Sequence, residues 1–132
     1  MPTTKLDSFT TAYLVACLWS SNDESTPEGG EPFDHNYGIE DFADEALAQA
    51  MADCAKFQAD HGDLLNSENC NYGGCPVLEY AGHDFWLTRA GHGCGFWDGN
   101  WIEPAATALT ATAKAFGDVN PYLGDDGKIY FT

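Results

Sequence analysis

Residues 82–98 read GHDFWLTRAGHGCGFWD and bring His83, Asp84, Arg89, His92, Cys94, Trp97 and Asp98 into one short stretch. A His beside a carboxylate can move protons, and a Cys beside a His can act as a nucleophile. Read as a strand, however, HDFWLTR alternates. Asp84, Trp86 and Thr88 then share one face, and His83, Phe85, Leu87 and Arg89 share the other. That register splits the His83–Asp84 pair. No GxSxG, CxxC or HExxH framework accompanies these residues. Phe85, Trp86, Phe96 and Trp97 suit a cross-strand aromatic ladder, and the glycines suit its turn. The stretch therefore reads first as a structural hairpin over 83–98. His83, Asp84, Arg89, His92 and Trp97 form a minor candidate site, and no residue is assigned a catalytic role.

Two metal readings can be weighed in the same way. Cys70 and Cys75 form a C-x4-C pair, and His92 with Cys94 forms H-x-C. These four ligands would make a tetrahedral zinc site, although the C-x4-C spacing is looser than the usual knuckle. Asp34, Asn36 and Gly38 resemble the start of a calcium loop, with Glu45 at its twelfth position. The sixth position, which needs Gly, holds Ile39. No metal or other cofactor is expected. Cys17 and Cys54 fall on apolar helix faces and read as small hydrophobes. An odd cysteine count, five, fits reduced thiols.

Charge is the strongest signal in the chain. Twenty-one acidic residues face five basic ones, a net charge of −16 over 132 residues. Such a field repels phosphate, which argues against direct nucleic-acid or anionic-membrane binding. The charge is also polarised. Asp23 to Glu68 holds thirteen acids and one Lys, a net −12. Asp23, Glu24, Glu28, Glu31 and Asp34 fall in a loop. Asp41, Glu45, Asp53 and Asp60 fall on or beside a helix. Carboxylates four apart on a helix lie about 6 Å from one another, close to phosphate spacing along a strand. These nine acids are the candidate partner-binding residues, facing a protein whose surface is basic because it handles nucleic acid.

Positioning these groups requires an ordered scaffold. The composition, 44% hydrophobic and 14% aromatic, is that of a globular chain. Leu6 to Trp19 predicts a helix apolar nearly all round, capped by Asp7 or Thr4. Residues 20–38 predict a long acidic loop. Phe42 to His61 predicts a second helix with Ala46, Leu47, Ala50, Cys54 and Phe57 inward, stopped near Gly62. Strand signals follow at 77–80, 83–89 and 94–98. Pro104 predicts the start of a third helix, with Glu103 or Asn100 near its cap and Gly117 at its end. YLGDDGKIYF predicts two short strands around a GDDG turn. The expected fold is α+β and a single domain over 1–132, with two N-terminal helices and one later helix packed on a small antiparallel β-sheet. The N-terminus shows no signal-peptide pattern, and the longest apolar run is too short for a membrane span, so a cytoplasmic location is expected.

GHDFWLTR-x-GHG-x-GFWD and the GDDGKIY ending, with LWSSNDE and ADCAKFQ upstream, resemble a group of small bacteriophage proteins. The resemblance covers most of the chain and implies a phage origin. Cys94 departs from it, since a small residue such as Ala is expected there. By analogy with other small acidic phage proteins, the expected function is inhibition of a host defence or repair enzyme by acidic mimicry of DNA. A zinc- or His/Cys-based enzyme and a virion assembly protein, docking through Trp86, Trp97 and Trp101, are the alternatives.

Overall fold

The structure, a computed structural model, describes residues 7–23, 31–35, 37–65, 69, 77–90, 96, 101–117 and 119–131. Helix α1 spans Ser8–Ser20 and begins where Asp7 accepts a 2.8 Å hydrogen bond from the Thr10 amide. That bond satisfies an amide which the helix leaves without a partner. Strand β1 (Asn22–Asp23) pairs antiparallel with β2 (Glu31–Pro32), so the segment expected to be loop carries a short ladder. Two 3-10 turns, Phe33–His35 and Ile39–Asp41, then lead to α2, Asp44–His61.

Helix α3, Val77–Ala90, overturns the strands expected at 77–80 and 83–89, while the one expected at 94–98 lies, apart from Phe96, outside the described residues. Ala81, Gly82 and Asp84 to Arg89 are all buried along α3, an almost unbroken run. Such a helix lacks the polar face that would reveal a 3.6-residue period, and its aromatic residues favour strand readings. Gly82 is a packing glycine rather than a turn. A Cβ there would run into the carbonyl oxygen of Phe9 and lie 2.8 Å from its carbon. Its missing side chain is what lets α1 and α3 approach backbone to backbone. His83 and Asp84, expected on opposite faces of a strand, are instead neighbours on one helix.

Helix α4, Ala105–Ala115, starts after Pro104. Pro104 holds the cap position, and Glu103 just before it accepts from the Thr107 amide at 2.8 Å and from the Thr107 hydroxyl at 2.7 Å, satisfying a first-turn amide. Gly117, at φ +86°, closes it in the left-handed region. Strands β3 (Pro121–Leu123) and β4 (Ile129–Phe131) form the expected C-terminal hairpin, with Tyr122 opposite Tyr130. Helices dominate, and this hairpin is an appendage to them rather than a sheet on which they pack. Ile129 faces inward and is fully buried, and its carbonyl accepts from the Ala43 amide at 2.9 Å. The hairpin is thereby fastened to the start of α2.

The core joins all four helices around aromatic rings. Phe57 of α2 stacks on Phe85 of α3 at 4.3 Å and on Phe96 at 5.5 Å. Phe9 and Tyr13 of α1 lie 5.8 and 5.3 Å from Phe85. Trp86 and Trp101 are buried in this core, so neither is available to dock a neighbouring molecule as the assembly reading required. Cys17 and Cys54 are fully buried, and burial pushes both thiols well above the usual range, leaving them unreactive.

Candidate functional site

The candidate polar side chains of the described residues fall into three regions. The first surrounds Arg89, near the end of α3 and only 7% exposed. Its guanidinium donates to Asp53 of α2 at 2.9 Å and to the Tyr13 hydroxyl of α1 at 2.9 Å. It also donates to the carbonyls of Gly117 and Phe116, at 3.1 and 3.3 Å. The rings of Phe85 and Phe116 lie beside it at 5.7 and 5.6 Å. Every side of the cation is occupied, which is how a buried charge avoids an uncompensated desolvation cost. Burial pushes the Tyr13 phenol up, against the pull of Arg89, and keeps it a neutral hydroxyl. Arg89 is a structural hub.

The second region is centred on Asp84, whose carboxylate is buried. One oxygen accepts from the Trp101 indole at 2.7 Å, and the other lies 3.3 Å from His83 Nδ1. The imidazole is about one-third exposed and stacks on Trp19 at 5.2 Å. A buried carboxylate behind a solvent-facing imidazole is the orienting half of an acid–base device. Of the minor candidate set, the structure therefore joins His83 to Asp84 and sends Arg89 elsewhere. His92 and Trp97 lie outside the described residues, as do Cys70, Cys75 and Cys94. Among the described residues no group of three or more His, Cys, Asp or Glu side chains is placed to hold a metal.

The third region comprises the acids expected to bind a partner. Glu24 and Glu28 lie outside the described residues, and Asp23 and Glu31 sit opposite one another across the β1–β2 ladder. Asp34 is exposed. Asp41, Glu45, Asp53 and Asp60 do not form a free row. Asp41 accepts from the Gly38 amide at 2.7 Å, tying its own turn. Asp53 is held by Arg89 and also accepts from Gln49 at 2.8 Å. Asp60 pairs with Lys56 at 3.1 Å, an exposed contact worth only a few tenths of a kcal/mol. Glu45 is exposed. Ala48, Ala52, Ala55 and Ala59 share the exposed side of α2 with Glu45 and Asp60. The helical spacing was correct, and Glu45 and Asp60 are exposed as expected, whereas Asp41 and Asp53 are half-buried. Arg89, from a distant part of the chain, had drawn Asp53 inward.

Asp34, Asp60, Asp63, Glu79 and Glu103 are exposed at separate places, and five further exposed acids lie where α2 begins and the hairpin turns. Glu40, Asp44 and Glu45 precede or open α2, and Asp125 and Asp126 form the β3–β4 turn, all exposed. The Ala43–Ile129 hydrogen bond holds the two segments together. Asp126 accepts from the Tyr130 hydroxyl at 2.7 Å and from the Lys128 amide at 3.0 Å. These bonds lower its pKa, the Tyr130 bond most. The same bond, with a smaller push from Glu45, raises Tyr130 to about 12. Asp125, Asp126, Tyr122 and Tyr130 were not among the sequence candidates. The signal was present, since a GDDG turn flanked by Tyr122 and Tyr130 must set two rings opposite each other beside two carboxylates.

Comparison with known protein families, with curated proteins and with solved structures finds no match. Among the described residues no helix is long and apolar enough to cross a membrane.

Proposed function

We propose that this chain is a phage-type accessory protein that binds a basic surface of a host nucleic-acid enzyme, in defence or repair, and occludes it. The observation that supports this reading is the fastening of the α2 start to the hairpin turn. It ties the segment bearing exposed Glu40, Asp44 and Glu45 to the hairpin bearing exposed Asp125 and Asp126. Lys128 is the exposed cation in the hairpin turn beside them. The contact surface thus moves from the flank of α2, where Asp53 and Asp60 have other partners, to these two segments. A rigid, dense negative field of this kind speeds encounter with a cationic groove and weakens steeply with salt.

The test uses the full chain immobilised against lysate of a bacterial host, washed at low salt and eluted by a salt step. Duplex DNA should displace whatever is held, because mimicry requires a shared site. A variant carrying Glu40→Gln, Asp44→Asn, Glu45→Gln and Asp125→Asn should retain nothing that the wild type retains. Capture that survives all four substitutions, or that duplex DNA leaves untouched, would falsify the proposal.

A further inference from the structure

The outward face of the β3–β4 hairpin carries the two rings that face each other across the strands. Tyr122 and Tyr130 stack with centroids 5.6 Å apart and planes 20° from parallel. Tyr122 is 45% exposed, among the most exposed large hydrophobic side chains of the described residues. The opposite face of the hairpin is used, with Ile129 in the core and Phe131 against Phe42 and Trp86. Among the described residues nothing comparable covers the outward face. It opens into a groove of about 460 Å³ lined by Tyr122, Leu123, Gly124, Asp125, Asp126 and Tyr130.

The chemistry of this groove selects its occupant. Aromatic faces attract cations through their quadrupole, and planar guanidinium both stacks on a ring and forks onto a carboxylate. Asp125 and Asp126 lie on the turn, and Glu45 is near enough to act on the Tyr130 hydroxyl. Against these three acids stands Lys128, so the rim keeps a net negative charge. An anionic or purely apolar ligand would have to overcome that field. Gly124 matters to the shape, because a Cβ there would strike the Tyr130 ring and push it off its partner. We propose that this groove seats an arginine side chain of a basic protein segment, with Tyr122 and Tyr130 as the stacking platform and Asp125 as the carboxylate that fixes the guanidinium. This rests on the acidic-binding reading above and names the anchor within it.

The test is fluorescence anisotropy of a labelled hexa-arginine peptide titrated with the full chain at low salt. Wild type should bind, and binding should fall as salt rises. Tyr122→Leu keeps every charge and should weaken binding about fivefold, the scale of a lost cation–π contact. Tyr122→Phe should restore it. Asp125→Asn should weaken it about threefold and flatten its salt dependence. Hexa-lysine should bind more weakly than hexa-arginine, because ammonium cannot stack. If Tyr122→Leu binds as wild type, or hexa-lysine matches hexa-arginine, the groove proposal is overturned while the broader acidic reading stands. If wild type fails to bind hexa-arginine at low salt, both are overturned. Far-ultraviolet circular dichroism confirms that each variant is folded.

Discussion

Two acid–base pairs draw on residues of α3 and have opposite fates. Arg89–Asp53 is closed: the guanidinium touches α1, α2 and the end of α4, and two rings cover it. His83–Asp84 is half open: its carboxylate is buried against Trp101, but its imidazole reaches solvent beside Trp19. The difference lies in position on one helix. Arg89 sits where four elements meet, so its charge can be fully compensated, and the result is rigidity. His83 sits at the margin of the α1–α3 contact, so its partner orients the ring without enclosing it. A sequence motif rich in ionisable residues can therefore be mostly architecture, with only its edge left to chemistry.

The comparison is most easily broken at Arg89. Replacing it by Met should lower unfolding stability by about 3–5 kcal/mol, because Asp53, Tyr13 and two carbonyls lose a partner inside the fold. Asp53→Asn should cost less, about 2 kcal/mol, since Arg89 keeps Tyr13 and both carbonyls. Urea denaturation measures both, and a change near zero for Arg89→Met would mean that the hub is not closed.

Asp84 should come next. Asp84→Ala leaves the buried Trp101 indole without its acceptor and should cost about 1–3 kcal/mol, whereas Asp84→Asn keeps an acceptor and should cost less. His83→Ala should cost below about 1 kcal/mol, as expected of a part-exposed pair. A His83→Ala loss as large as that of Arg89→Met would erase the distinction between the two pairs.

Asp7 supplies the small, exposed end of the scale. Partial burial raises its pKa, but hydrogen bonds from Thr10 and Gln58 outweigh this and hold it below 3.8. A lowered carboxylate pKa contributes stability above the unfolded value and loses it as pH falls through the folded one. Asp7→Ala should therefore cost about 1 kcal/mol at neutral pH, and wild type and variant should converge in strong acid. A gap that persists there would show that the cap does not act through its charge.

Much of the scaffold was legible from residue order. The Asp7 cap, the 3.6-residue period of α2, the Glu103 acceptor at the start of α4, and the GDDG turn between alternating strands each carry a local signal that tertiary contacts respected. Helix α3 did not, because burial on nearly every side removes the contrast on which periodicity depends. Its Gly82 looked like punctuation but is a contact with Phe9. The acids were legible as charge but not as surface. Asp53 had the right spacing to face outward, and only the fold could show that Arg89 claims it. The two strands around the GDDG turn were expected, but the pairing of Tyr122 with Tyr130, and its value as a platform, depended on the register and on which face the core left bare.

The hydrogen bonds of Arg89 have a consequence for how the molecule comes apart. A side chain rooted in one helix grips two others and the exit of the fourth. Local fraying of any one of them therefore strips a partner from a sealed cation and raises the free energy of the rest. Partial openings are penalised, and the helical body is wired to melt as one cooperative unit rather than peel segment by segment.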